Sequence, residues 1–143
     1  MKLICLLSIA GALLAQKPPV IPPDAVPKDI QDMIRATAEA LQNKDVQGFL
    51  DHFDGKMPGY EMLHYYLEGL AARDSVSSSI EFPTDKADAA SDGQRHTLAL
   101  DWVLNIDSER TRREIVKVTV EKQGKKWKFT SLEPIDFFKP PAS

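Results

Sequence analysis

Two glutamates, Glu114 and Glu133, are the residues whose type and placement could do chemistry. Both lie in segments that alternate like β-strands, and the hairpin pairing expected from that pattern sets them opposite each other on the inner face. Two carboxylates this close cannot both ionise at low cost, so such a pair can supply a general acid or base near neutral pH. The alternative is a solvated end of the sheet, where Arg112 or Arg113 neutralises the two charges.

The strands that would hold this pair are indicated by period-two alternation within residues 95–138, and a further strand is indicated at 76–82. In each run most of the apolar residues fall on one side. These inward residues are Val76, Ser78, Ile80 and Phe82; Leu98, Leu100, Trp102, Leu104 and Ile106; Val116, Val118 and Val120; and Trp127 and Phe129.

The turns set the pairing of these strands. Gln123-Gly124 fits a two-residue hairpin loop, because glycine accepts the positive φ that such turns need. A second loop is expected near residues 108–110. The polar stretch 85–93 is expected to form the loop between the first strand, at 76–82, and the strand that begins at residue 95. We therefore predict a four-stranded antiparallel meander with one continuous apolar face. Its expected pairs are Val120 with Trp127, Trp102 with Val116, Ile80 with Leu98, and Asp101 with Lys117.

The segment before the strands is predicted to be helical. Apolar residues recur at helical spacing over residues 28–43, 46–53 and 60–73, and Asp45 can cap the second helix. Helices that precede an antiparallel sheet pack on one of its faces, so the predicted fold class is α+β. The apolar stripes contain Ile30, Met33, Ile34, Thr37 and Leu41; Val46, Phe49, Leu50 and Phe53; and Leu63, Tyr66, Leu67 and Leu70.

The N-terminus has the pattern of an export signal. Residues 1–15 combine a basic start, an apolar run that includes the single cysteine, and small residues at the end, which is typical of a secretory signal peptide. Residues 16–27 carry five prolines and indicate a stiff spacer. We expect a domain at 28–139, a tail at 140–143, a secreted or periplasmic location, and no membrane span after cleavage. The alternative is an uncleaved membrane anchor or a misassigned start.

Composition narrows the function classes. The 143 residues carry a net charge of −3, which argues against a nucleic-acid binder. The three histidines are not at metal-ligand spacing, and the sequence has no phosphate-binding glycine loop, so neither a metal site nor a cofactor is predicted. His52 lies off the apolar stripe of its helix and is expected to be solvated.

Two stretches carry a resemblance to a known family. These are Asn43–Leu50, in the form Asn-Lys-Asp-x-x-x-Phe-Leu, and the closing stretch Gly124–Phe129. Together with the order of elements from Asp29 to Phe138, they resemble the nuclear transport factor 2-like superfamily, also called ketosteroid-isomerase-like or SnoaL-like. The resemblance implies a cystatin-like cone, in which a strongly curved sheet wraps around the helices and leaves a pocket at the open end. Its members include enzymes and non-catalytic binding domains.

The resemblance also implies where a site would lie, since catalytic members place acids, histidines or tyrosines inside the cone. Besides Glu114 and Glu133, we expect six residues to line such a pocket. They are Tyr60, Tyr65, His96, Trp102, Phe129 and Ser131. Aromatic residues at helical spacing are also typical of a packed core, which is the alternative for the tyrosines and the tryptophan.

These observations favour an exported, non-catalytic domain that binds a small apolar ligand in the cone, or a protein partner. The first alternative is an isomerase, dehydratase or hydrolase that uses the two glutamates. The second is a structural domain with a filled interior. Ala99, Val103 and Ile115 are small or apolar for an outer sheet face, and the resemblance implies that this face mediates dimers. A homodimer is therefore predicted.

Overall fold

The computed structural model describes residues 26–82, 90, 91 and 93–142. The predicted signal peptide, most of the spacer and most of the 85–93 loop lie outside the described residues. The elements, in chain order, are helices α1 (Lys28–Gln42), α2 (Val46–Leu50) and α3 (Tyr60–Ala71), strands β1 (Val76–Glu81), β2 (Ala90–Ser91), β3 (Arg95–Ile106), β4 (Arg110–Gln123) and β5 (Lys126–Glu133), and a C-terminal 3-10 helix (Ile135–Phe138). None of the helices within this described part combines the length and apolar character needed to cross a bilayer.

The three predicted helices are confirmed, because their local signals are strong. Apolar residues spaced three and four apart form one buried stripe along α1, and Thr37 joins it by donating its hydroxyl to the Met33 carbonyl at 2.8 Å. Asp45 caps α2 by accepting a hydrogen bond from the Gly48 amide at 2.9 Å, as predicted. The predicted stripe of α3 is buried throughout, so each of the three helices turns an apolar side to the core.

The sheet is antiparallel and curved, with the strand order β1-β3-β4-β5, while the short β2 also pairs with β3. The predicted meander and the α+β class are therefore confirmed. One face carries the predicted apolar residues, and Trp102 and Phe129 among them are wholly buried.

The predicted strand pairings are wrong, and between β1 and β3, between β3 and β4, and along β5 as far as Phe129 the displacement is an even number of residues. Gly124, at a φ of +66°, takes the first loop position rather than the second, so the loop is Gly124-Lys125. The other hairpin loop spans residues 107–109 rather than 108–110. An even displacement leaves each side chain on its predicted face, so the core survives the error. The observed partners are Lys122 for Trp127, Glu114 for Trp102, Trp102 for Ile80 and Ile115 for Asp101.

One irregularity does change faces. Val120 is opposite Phe129, but the preceding Thr119 is opposite Ser131, so Thr130 is an extra residue that bulges from β5. Beyond the bulge the alternation is inverted, and Leu132 becomes the buried residue. Because of this inversion, Glu133 lies on the outer face of the sheet, opposite Lys117.

The chain ends close the core. Val26, which the sequence placed in the spacer, is wholly buried. At the other end the 3-10 helix buries Phe137 and Phe138. It is held by Arg112, whose guanidinium donates to the Phe137 carbonyl at 2.6 Å, and by Tyr66, whose hydroxyl donates to Asp136 at 3.2 Å. The C-terminal segment is thus part of the packed interior.

Candidate binding site

Aromatic rings occupy the interior between the sheet and the helices. Trp102 is wholly buried, and its ring centre lies 5.0 Å from that of Phe138, 6.2 Å from Phe137 and 6.3 Å from Phe49. Its indole nitrogen donates to the Ser78 hydroxyl at 2.9 Å. Trp102, predicted as a pocket wall, is therefore a packed core residue with its one polar atom satisfied.

Two more of the residues predicted to line the pocket are also buried. Phe129 is wholly buried and stacks on Phe53 with ring centres 4.5 Å apart. His96 is 5 % exposed and packs edge-on against Trp127 at 5.4 Å. These contacts make Phe129, in β5, and His96, near the start of β3, part of the packed core.

The remaining predicted pocket residues are scattered. Tyr60 is half-buried at the start of α3, and Ser131 is half-buried beside the bulge. Tyr65 is 74 % exposed on α3, so the prediction that it lines the interior is wrong: its position is one residue off the buried stripe. The structure does not bring these three side chains together in one site.

The predicted pairing of Glu114 with Glu133 is also wrong. Glu114 is opposite Trp102 and so has the inner-face phase, whereas Glu133 is opposite Lys117 on the outer face. Both glutamates are exposed. The bulge at Thr130 is the physical reason, because it inverts the alternation of β5 before Glu133. The two carboxylates therefore do not form an acid–base pair.

An open cleft of about 530 Å³ lies where the start of α1, the end of α2 and the start of β5 meet. We call it the Trp127 cleft. It is lined by Asp29, Met33, Gly48, Asp51, His52, Lys125, Lys126, Trp127 and Lys128.

Backbone and side-chain hydrogen bonds hold the three walls of the Trp127 cleft together. The Trp127 indole nitrogen donates to Asp29 Oδ2 at 3.0 Å, which ties β5 to the first turn of α1. The Phe129 amide donates to the His52 carbonyl at 2.8 Å, and the Asp54 amide donates to the Phe129 carbonyl at 2.9 Å. The segment after α2 thus runs along the edge of β5. These bonds fix the cleft without using the His52 ring.

His52 is the one histidine among the residues that line the cleft. The residue is half-buried, and its ring makes no hydrogen bond within the described part of the chain. Burial lowers the pKa of His52 below 6.5, the nearby charges of Lys128 and Lys126 lower it further, and Asp51 opposes them. The ring is therefore neutral at pH 7 and can accept or donate one hydrogen bond.

The negative groups of the cleft are already engaged, whereas two positive groups are not. Asp29 accepts from the Ile30 amide and the Trp127 indole, one through each oxygen. Asp51 accepts from the Gln47 amide group at 2.8 Å. Lys125 and Lys126 have no ion pair or hydrogen-bonded side-chain partner among the described residues, although Lys128 donates to the Asp51 carbonyl. The charged groups of the cleft that remain available to a ligand are therefore mainly ammonium groups.

Sequence reasoning missed this site. It assigned His52 to solvent and used the Lys125–Lys128 stretch only as a mark of resemblance. A usable signal was present, since three lysines around one tryptophan in a hairpin combine charge with an aromatic surface. No cluster of three or more His, Cys, Asp and Glu side chains suited to a metal ion is found among the described residues.

Comparison with known proteins places this geometry in a fold class. No family model matches the sequence, and no protein of curated function gives a significant match. Solved structures do match. A Bdellovibrio bacteriovorus protein, Bd1075, superposes with a TM-score of 0.61 at 14 % identity over 74 % of this chain, which spans only 40 % of that protein's length.

Two smaller proteins match over most of their own length. One, from Novosphingobium aromaticivorans and described provisionally as a scytalone dehydratase, has a TM-score of 0.59 at 14 % identity over 77 % of this chain and 83 % of that protein. The other, an NTF-2 like protein of unknown function from Shewanella oneidensis, has a TM-score of 0.56 at 13 % identity over 73 % and 94 %. The chain therefore has the nuclear transport factor 2-like fold, as its sequence predicted. Likeness at this level of identity defines the fold alone.

Proposed function

We propose that the chain is an exported, non-catalytic binding domain that holds a small ligand in the Trp127 cleft. The supporting observation is the contrast between two regions. The interior is occupied by the rings of Trp102, Phe137 and Phe138, whereas the Trp127 cleft is open and is lined by His52, whose imidazole has no hydrogen-bond partner among the described residues. A largely pre-formed cavity with a few convergent polar groups is the usual form of a small-molecule site.

The ligand site is thus proposed beside the cone rather than inside it. A small apolar ligand in the interior would have to displace side chains that are wholly buried and in mutual ring contact. The volume of the Trp127 cleft, about 530 Å³, falls within the range of small-molecule sites. A ligand can therefore bind in the cleft without a rearrangement of the core.

The enzymatic alternative receives no support from the glutamates. Proton transfer by a carboxyl pair needs both groups within reach of one reacting atom. Glu114 and Glu133 lie on opposite faces of the sheet and are both exposed. The dehydratase described among the structural neighbours shares the fold, and the fold hosts many unrelated functions.

Fragment screening by NMR tests the proposed site. The chain has two tryptophans, whose indole N–H signals report separately on the cleft (Trp127) and on the core (Trp102). We expect millimolar fragments to shift the signals of Trp127 and His52 and to leave Trp102 in place. Hits that shift Trp102 instead would move the site into the interior, and a screen without hits of any charge would refute the proposed function.

Export rests on the N-terminal pattern of residues 1–15. Expression of the full chain in a bacterium with a secretion pathway, followed by mass spectrometry of the periplasmic and extracellular fractions, tests it. We expect a shortened chain that begins near residue 16. Full-length protein found only in the cytoplasm or the membrane would refute export.

A second copy of the chain is the proposed partner of the outer sheet face. Ile115 is 57 % exposed there, and opposite it Asp101 holds Arg113 through two hydrogen bonds of 2.9 and 2.6 Å. Lys117 and Glu133 add one charge of each sign to the same face. A face that carries both signs around an apolar centre can meet itself across a twofold axis.

Substitution at the centre of this face tests the dimer. We expect light scattering to give twice the chain mass for the mature protein at micromolar concentration, and Ile115→Lys to give the monomer mass, because two lysines would meet near the axis. Met62→Lys is the matched control, since Met62 is 49 % exposed on α3, outside the sheet. A wild-type monomer at this concentration would refute the proposal.

A further inference from the structure

We infer that the Trp127 cleft takes a small organic anion, with a flat apolar body against Met33 and Trp127 and a carboxylate, sulfonate or phosphate group beside Lys126 and His52. This inference rests on the proposed function and specifies the chemistry of its ligand. The ligand class follows from which groups of the cleft are free, which surfaces are apolar, and how the charges are arranged.

The free groups favour an anion. Lys125 and Lys126 line the cleft without an ion pair or hydrogen-bonded partner for their side chains within the described residues. Both carboxylates of the cleft already accept hydrogen bonds, Asp29 from the Trp127 indole and Asp51 from Gln47. A cationic ligand would therefore meet unpaired lysines, whereas an anionic ligand would give them a partner.

The apolar surfaces favour a flat body next to that charge. Met33 is half-buried on the α1 wall, and its thioether side chain adapts to aromatic surfaces. Trp127 is 9 % exposed and is locked in place by its bond to Asp29 and by the Lys122 ammonium, 5.8 Å from its ring centre. A rigid aromatic edge of this kind contacts a ligand at little cost in side-chain entropy.

His52 couples this binding to protons. The charges that act on the imidazole are Lys128 and Lys126 on β5 and Asp51 on its own segment, and Asp29 on α1 lines the same cleft. A bound anion offsets the two lysines, so the pKa of His52 rises when the ligand binds. Binding is then accompanied by proton uptake, and affinity for the anion increases as the pH falls through the range between the free and bound pKa values.

Two matched fluorescent probes test the ligand class. 1-Anilinonaphthalene-8-sulfonate and N-phenyl-1-naphthylamine share one aromatic body, and only the first carries a charge. We expect the sulfonate to bind the folded mature protein about tenfold more tightly than the neutral probe at low salt, since it gains one or two charge contacts. The difference should shrink in about 0.5 M NaCl because salt screens exposed charges.

A pair of lysine variants places the probe in the cleft. Lys126→Gln should weaken binding of the sulfonate by about three- to fivefold and leave the neutral probe unchanged, as expected for one exposed charge pair. Lys139→Gln is the matched control, because Lys139 is exposed in the C-terminal segment and does not line the cleft. It should alter neither affinity. Thermal unfolding of each variant verifies that the fold is intact.

The pH profile supplies an independent readout. The sulfonate stays ionised throughout, so any change on acidification belongs to the protein, in which burial holds the pKa of His52 below 6.5. Its affinity should rise about threefold or more as the pH falls, and His52→Asn should flatten the profile. Affinity that falls on acidification, or an unchanged profile in His52→Asn, would overturn the coupling.

The outcomes separate the inference from the function it rests on. Equal affinity for the two probes, failure of both to bind, or equal loss of both in Lys126→Gln would overturn the anion inference. If neutral fragments nevertheless shift the Trp127 indole signal, the proposed binding function stands with a different ligand class. If no fragment shifts it, the proposed function fails as well.

Discussion

Phe138→Ala is the substitution that tests most directly whether the cone interior is filled. The Phe138 ring is wholly buried and contacts three aromatic neighbours. The ring centres lie 5.0 Å from Trp102, 5.1 Å from Phe137 and 5.7 Å from Phe49, and all three contacts are edge-to-face. Removal of the ring loses these contacts and leaves a cavity that rigid neighbours cannot close.

The expected cost follows from that geometry. Truncation of a buried phenylalanine to alanine lowers the free energy of unfolding by about 3–5 kcal/mol. For a domain of roughly 100 residues, each kcal/mol lowers Tm by about 4 °C, so a fall of about 12–20 °C is expected. Urea unfolding followed by circular dichroism measures the free energy of unfolding. An unchanged slope of this free energy against urea concentration would show that the substitution does not act through the unfolded state.

Tyr65→Ala is the matched control for this experiment. It also truncates an aromatic residue, but Tyr65 is 74 % exposed, so its cost should stay within about 0.5 kcal/mol. Benzene adds a second readout, because dry apolar cavities bind it: it should raise the Tm of Phe138→Ala and leave that of the wild type unchanged. A Phe138→Ala variant as stable as Tyr65→Ala, or a wild type stabilised by benzene, would refute a filled interior.

Two further predictions concern polar contacts. Ser78→Ala leaves the buried Trp102 indole without its acceptor and should lower the free energy of unfolding by about 1–3 kcal/mol in urea, whereas Ser79→Ala, at an exposed neighbour, should not. Hydrogen bonding to Arg73 lowers the pKa of Asp107 below its ordinary 3.8, so this stabilisation is fully present above pH 3.8 and is lost as the pH falls through the lowered pKa. Asp107→Asn should therefore lower Tm near pH 7, and its difference from the wild type should shrink toward pH 2; a difference that does not vary with pH would contradict the assignment.

The helices and the faces of most strands could be predicted from the sequence because their signals are local. A buried stripe such as Leu63, Tyr66, Leu67 and Leu70 repeats the helical period within one segment. Alternation likewise assigns Trp102 and Val118 to the inner face whatever their partners are. An error of two residues in a hairpin changes the partner and keeps the face, so the core was correct while the register was not.

The candidate site could not be predicted because it is assembled from distant segments. Trp127 meets Asp29 across 98 positions, and the segment at His52 runs beside β5 through backbone bonds to Phe129. Neither contact leaves a periodic mark in the sequence. Local patterns describe which face of an element is apolar, but they do not describe which polar side chains meet at the rim of the core.

By itself the sequence determined the α+β class, the order of its elements and the apolar face, since each follows from periodicity within a few residues. Only the tertiary structure decided the position of the site. The bulge at Thr130 turned Glu133 to the outer face, and the return of Phe137 and Phe138 filled the interior. Neither effect follows from periodicity within one segment, and the second depends on packing between segments far apart in the chain, where the ring of Phe138 meets those of Trp102 and Phe49.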